Sequence, residues 1–267
     1  MTIHRITKQQ QTILTYLYHY RFLNRTHIQN FLNHKTHNRI NIWLKDLNEQ
    51  GYVDRIYSRE YGENTKPAIY SIGPNGVGFL KDQAGLAPQQ IQKLRRQSGR
   101  SKSFMSRCLM LADIRVTLLG FSPDAVSTKT RPTYEFTTTA EVQDEENEFH
   151  FLSMVRPQLI VTKHESSSKR SYTIIEVFDP TIPSYAIRKR LGEFVNLYKS
   201  ATWEEATSRP FPKLLFVCPT KAGMIYTKRH ARKLIEENQR PSDLHIWVAT
   251  AGKVSTDGVT GEIWEEA

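Results

Sequence analysis

Over residues 1–72 the apolar positions recur three times with a helical period and then switch to the two-residue period of strands. Thr7 followed by Gln10 is a capping-box pattern, and Ile13, Leu14, Leu17 and Tyr18 continue it at helical spacing, predicting a first helix over 8–20. Asn24 can cap a second short helix carrying Ile28, Phe31 and Leu32. After Asn33 and His34 a third begins near Thr36 and ends at Gly51, a residue suited to a left-handed helix terminus. Its inward stripe is Ile40, Leu44 and Leu47 with Trp43 beside them. From Tyr52 to Tyr57 and from Ala68 to Ile72 the pattern is that of two short strands about the polar turn Gly62-Glu63-Asn64. Three helices and a hairpin make a winged helix-turn-helix.

The charge is placed where such a domain would use it. Residues 1–110 hold 17 Lys or Arg against 6 Asp or Glu, a balance of +11, whereas the remainder holds 20 against 21. A basic excess confined to one segment is the footprint of a polyanion, because neutralised phosphates release condensed counterions. On the third helix His37, Asn38, Arg39, Asn41 and Lys45 form the polar face. Asn can bond adenine N6 and N7 together, and a cationic side chain can reach guanine or phosphate. Arg55, Arg59 and Lys66 on the hairpin are candidates for phosphate or minor-groove contact. Any exposed helix face is polar, so the weight rests on the combination: helix pair, recognition helix, wing and charge.

A short helix near Gly76–Gln83 finishes this domain. Residues 93–103 are basic, contain Ser and Gly, and are poor in apolar side chains, which reads as a linker whose Arg95, Arg96, Arg100 and Lys102 can follow a DNA backbone. The expected division is therefore 1–92, 93–103 and 104–267. In the last segment Phe104–Phe121 is a helix, Tyr134–Phe136, Phe149–Leu152, Leu159–Thr162 and Tyr172–Phe178 are strands, and Ala186–Tyr198 is a helix. The strand Lys213–Cys218, a basic helix over Tyr226–Gln239 and the strand Leu244–Ala249 follow. That order predicts a mixed α/β sheet with helices on its faces. The acidic run Glu141–Glu148 reads as a solvated hairpin loop. Lys228, Arg229, Arg232 and Lys233 form a second basic cluster.

Other chemistries find little support. There is no Walker-type phosphate loop, no Gly-x-Ser-x-Gly elbow and no His-Glu-x-x-His, and of nine His only His34 and His37 lie close. With two cysteines, Cys108 and Cys218, neither a disulfide scaffold nor a thiolate-rich zinc site can be built. No apolar run reaches membrane-spanning length and the start of the chain is polar, so the expected location is the cytoplasm, with no membrane partner.

Several segments carry a family likeness: Ile6–Gln10, Arg21–Asn24, Leu44–Leu47 through Gly51–Val53, Ala68–Ile72, Arg156–Val161, Ile174–Phe178, Lys189–Tyr198 and Gly261–Trp264. In these the chain resembles the replication-relaxation family of plasmids and other mobile elements. The resemblance implies a winged helix joined to a restriction-endonuclease-like domain of the PD-(D/E)xK type, and a link to replication and DNA relaxation. A nuclease of that type needs a strand-end carboxylate and a second acid for Mg²⁺, plus a Lys near the attacking water. Pro157 matches the motif's Pro, but Gln158 stands where the family has Asp. Glu176 matches the second acid, and Phe178 stands where a polar group is expected. Asp179 and Lys189 are the neighbouring groups that could substitute.

The sequence therefore predicts a duplex-DNA-binding protein controlling replication or transcription of a mobile element. Its second domain has lost catalysis, needs no cofactor, and serves to pair copies of the chain or to dock a replication or relaxation protein of the same element. The alternative is an active Mg²⁺-dependent nuclease targeted by its winged helix. A third reading makes the winged helix a protein-binding module.

Overall fold

Reciprocal caps start the first two helices. The computed structural model describes residues 6–57, 67–84, 86, 88–95, 99–120, 133–165, 169–238 and 243–267. In α1 (Lys8–Tyr20) the Gln10 amide N–H donates to Thr7 Oγ1 and the Thr7 N–H donates to Gln10 Oε1. After the two-residue strand β1 (Leu23–Asn24), α2 (Arg25–Phe31) repeats the device with Asn24 and His27. Helix α3 (His37–Glu49) ends where the chain turns through Gly51 at φ +68°, a conformation costly for any residue with a Cβ. The hairpin strands β2 (Val53–Ile56) and β3 (Ile69–Ile72) follow, and β3 lies between β1 and β2 in an antiparallel sheet of order β1-β3-β2. Ile13, Leu14, Leu17, Ile28, Ile40, Leu44 and Leu47 fill the centre. The three helices and the hairpin thus stand where the sequence places them, with β1 as an addition too short to carry a pattern.

The next helices correct the expected division. The chain separates into two compact units, the first reaching Val116 and the second carrying everything described from Thr133 onward. Helix α4 (Pro74–Ala84) is the short helix expected there, but α5 (Pro88–Arg95) buries Ile91 and Leu94. Helix α6 (Lys102–Leu119), expected to open the second domain, packs mainly in the first. The Phe104 ring meets Phe22 edge-on. Arg115 lies over the rings of Tyr16, Tyr20 and Phe31. His27 Nε2 lies 2.7 Å from an Asp113 carboxylate oxygen, and since Nδ1 accepts the Asn24 N–H, Nε2 is the donor. Of the stretch 93–103, residues 93–95 end α5 and residues 102 and 103 open α6, while 96–98 lie outside the described residues. The guanidinium groups of Arg100, within it, and of Arg107, beyond it, lie over the Phe104 ring.

The second unit is built on a six-stranded mixed sheet of order β4-β5-β6-β7-β8-β9. Strand β4 (Thr133–Thr138) pairs antiparallel with β5 (Leu159–His164), and β5 likewise with β6 (Arg170–Val177). Between β4 and β5, which are antiparallel, the acidic run 141–148 is the solvated connection expected, and the connection carries structure at both ends. It forms α7 (Thr139–Val142) and a 3-10 turn (His150–Leu152) where a strand was expected, with Val142, Phe149 and Leu152 buried and Asp144, Glu145, Glu146 and Glu148 outward. Phe149 stacks on Trp203, and that stack holds the excursion down.

From β6 the connections become crossovers. Helix α8 (Ser184–Lys199) and α9 (Thr202–Thr207) lead to β7 (Lys213–Cys218), and α10 (Lys221–Glu237) leads to β8 (Ile246–Thr250), all with parallel pairing. Both crossovers step the same way, so right-handed connections put α8 and α10 side by side on one face, and the two helices touch. Helix α11 (Ala251–Asp257) and the edge strand β9 (Glu265–Glu266), antiparallel to β8, close the chain. Ile187, Leu191, Phe194 and Val195 of α8 and Met224 and Ala231 of α10 pack in one core with Ile174, Phe216, Ile246 and Val248 of the sheet.

Both thiols are buried, and burial pushes each up to about 11. The folded protein is therefore expected to react slowly with a thiolate-directed reagent at neutral pH, and urea should release both groups. Rapid labelling of the folded chain would contradict this packing.

Candidate functional site

On α3 the buried stripe and the exposed face are cleanly separated. Ile40, Trp43, Leu44 and Leu47 are inward, while His37, Asn38, Arg39, Asn41 and Lys45 are all exposed. Asn38, Asn41 and Lys45 share one face at spacings of three, four and seven residues. Ile42 lies among them, 49% exposed, and sequence reasoning passed over it. Its signal was an apolar residue off the inward stripe of an otherwise amphipathic helix. An exposed aliphatic group amid amides can meet a thymine methyl. Arg39 is less available, because its guanidinium lies 5.5 Å from the Trp43 ring centre. Lys45 sits 3.7 Å from Glu49 in an exposed pair of small energetic consequence. The His34 ring meets Trp43 edge-on.

The hairpin supplies Arg55, exposed on β2 and lying over the Tyr57 ring. Arg59, Lys66 and Arg96 lie outside the described residues. Arg95 ends α5 and Lys102 begins α6, both exposed, and Arg100 rests on Phe104.

In the second unit Glu176, at the end of β6 and 1% exposed, has both carboxylate oxygens occupied. Arg190 of α8 grips it in a fork, Nη2 donating to Oε1 at 2.7 Å and Nε to Oε2 at 2.9 Å. The Gln158 backbone N–H donates to Oε1 at 2.8 Å. Arg190 also donates to the carbonyls of Val155 and Arg156 and to Glu193 Oε2, so each of its five N–H groups has an acceptor. Arg156 adopts φ +55° directly before Pro157, a strained position whose carbonyl oxygen accepts one of these bonds. Burial alone would lower the Arg190 pKa, but the adjoining Glu176 and then Glu193 raise it above its ordinary value.

Gln158 has a second use. The register Leu159↔Ile175 would next pair Pro157 with Val177, and Pro157 has no N–H to donate. The Gln158 side-chain amide replaces the missing rung, its Nε2 donating to the Val177 carbonyl and its Oε1 accepting the Val177 N–H. The residue at the motif's acid position is thus a backbone patch.

The substitutes proposed from sequence stand apart from this lock. Asp179 accepts from the N–H and hydroxyl of Thr181, and Lys189 is exposed. Arg190 was missed although its spacing betrays it, since 187, 190, 191 and 194 share the inward face of α8 and 189 does not. Phe178 is buried and stacked on Phe216. A divalent cation could reach Glu176 only by displacing the guanidinium. Among the described residues no three His, Cys, Asp or Glu side chains gather to hold an ion, and no helix is long and apolar enough to cross a membrane.

The sequence model of the family described as Replication-relaxation matches residues 14–210. No curated protein matches. Among solved structures, one titled "Structure of restriction endonuclease FokI" aligns at 13% identity with a TM-score of 0.33, covering 93% of this chain. The chain spans 43% of that protein's length.

Proposed function

The chain belongs to the replication-relaxation family, and from that premise we propose that it binds duplex DNA to control replication or transcription of a plasmid or other mobile element. The observation that carries the reading is the exposed face of α3, with Asn38, Asn41, Ile42 and Lys45 on a helix whose other side is locked into a three-helix body. A helix so placed, followed by a hairpin, is the geometry of a winged helix that enters the major groove. The basic excess of the first 110 residues supports it. The second unit, in this reading, is a nuclease-like domain turned to pairing with a second copy or docking a replication or relaxation protein. The Arg190 fork on Glu176 supports the loss of cleavage, because it neutralises the one acid that matches the nuclease motif.

Two assays test the two halves. The full chain should shift duplex DNA with an affinity falling by about 10³ or more between 50 and 200 mM salt, if six or more phosphates are contacted. Supercoiled plasmid should remain supercoiled with Mg²⁺ or Mn²⁺. A folded protein without salt-dependent binding would sink the first half. Cleavage that vanishes in Glu176→Ala would overturn the second and establish the metal-dependent nuclease.

A further inference from the structure

The adjoining outer faces of α8 and α10 carry a cationic surface that neither α3 nor the Glu176 lock uses. Tyr185, Arg188, Lys189 and Gly192 share one face of α8 at spacings of three, four and seven residues. Tyr185 is 65% exposed, and a Cβ added at Gly192 would meet nothing, so the surface is open there. On α10 the corresponding stripe is Ile225, 54% exposed, with Arg229 and Arg232. The two helices are held side by side by Arg188, whose Nη1 donates to the Tyr226 hydroxyl at 2.7 Å, and the Tyr226 ring stacks on His230.

Positive charge is in excess here, with Glu236 the acid on the α10 stripe. Among the described residues none of Arg188, Lys189, Arg229 and Arg232 has an ion-pair partner, whereas Lys228 is engaged by Glu265 and Lys233 by Glu237. His230, in the seam, is held below the ordinary imidazole value by burial first and then by Arg188 and Lys233, with Glu237 acting the other way. A duplex keeps the faces of its bases stacked inside, out of reach of an exposed ring. An exposed tyrosine ring on a surface that also carries guanidinium groups suits bases that are not already stacked on a partner strand.

We propose that the paired outer faces of α8 and α10 bind single-stranded DNA, Tyr185 stacking on a base while Arg188, Lys189, Arg229 and Arg232 hold the phosphates. The site lies in a different unit from α3 and does not depend on whether α3 reads duplex.

Fluorescein-labelled oligo(dT) is the probe, its anisotropy followed with the full chain in the presence of saturating unlabelled duplex. Oligo(dT) should stay bound under these conditions. Arg229→Glu with Arg232→Glu should weaken it about tenfold or more. Tyr185→Ala should weaken it by at least about fivefold, the low end of base stacking on an aromatic side chain, and Tyr185→Phe should restore it. All these positions are exposed, and unchanged urea midpoints would verify the fold of each variant. Displacement of oligo(dT) by the duplex would overturn the site, as would losses below about twofold in the charge-reversed or Tyr185→Ala protein. If Asn38→Ala and Asn41→Ala leave duplex binding untouched, the reading of α3 fails while this one stands.

Discussion

Arg190→Ala is expected to destabilise the second unit by about 3–5 kcal/mol, the usual cost of stranding one member of a buried ion pair. The truncation leaves the Glu176 carboxylate in a site 1% exposed with only the Gln158 N–H bonded to it, and frees the carbonyls of Val155 and Arg156. It also removes a guanidinium lying 4.5 Å from the Phe194 ring centre. Glu176→Gln should cost less, because Arg190 keeps Glu193 and two carbonyls as acceptors. Replacing both partners by Met removes the charges together and should recover much of the loss, since well-packed apolar substitutes for a buried pair are often neutral or better. Urea denaturation of the wild-type protein and these three variants ranks the losses. A loss under about 1 kcal/mol for Arg190→Ala would mean that the fork does not secure the end of β6.

The same geometry sets the cost of substitutions toward the nuclease motif. Gln158→Asp would lose the amide that replaces the Pro157 rung, leaving the Val177 N–H and carbonyl without their bonds to it. Phe178→Lys would put an ammonium against Phe216 in the core. Each change damages the sheet before any metal could repay it.

What the sequence made legible was local and periodic. Thr7 with Gln10, the stripe through Ile40 and Leu44, and the terminus at Gly51 are set by residues within a few positions of one another. What it hid depends on distant partners. Arg100 reads as part of a solvated tether because its charge is counted and its aromatic support, Phe104, is not, and Phe22, the partner of Phe104, lies far back in the chain. Phe149–Leu152 reads as a strand because aromatic residues cluster there, but those rings turn toward Trp203 instead of pairing with a neighbouring strand. At the carboxylate site the residues at 158 and 178 were visible, yet the guanidinium that pairs with Glu176 was not, since a basic residue on a helix is most often solvated.

Asn38→Ala and Asn41→Ala test the proposed reading of DNA at its centre, and each should lower discrimination between the true site and random duplex by about 1–3 kcal/mol if its amide bonds a base in bidentate fashion. Both side chains are exposed on a helix whose fold is set from the other face, so neither change should move the urea midpoint appreciably. Ile42→Ala removes only an apolar contact, and its loss should be confined to sites with a thymine at the matching position. Arg55→Ala, on the hairpin, should weaken true and random duplex alike, because a phosphate contact carries no base information. Competition binding against random duplex separates the two kinds of loss. Equal losses on both DNAs for the two Asn variants would mean that α3 lies along the backbone, and base reading would then have to come from another element.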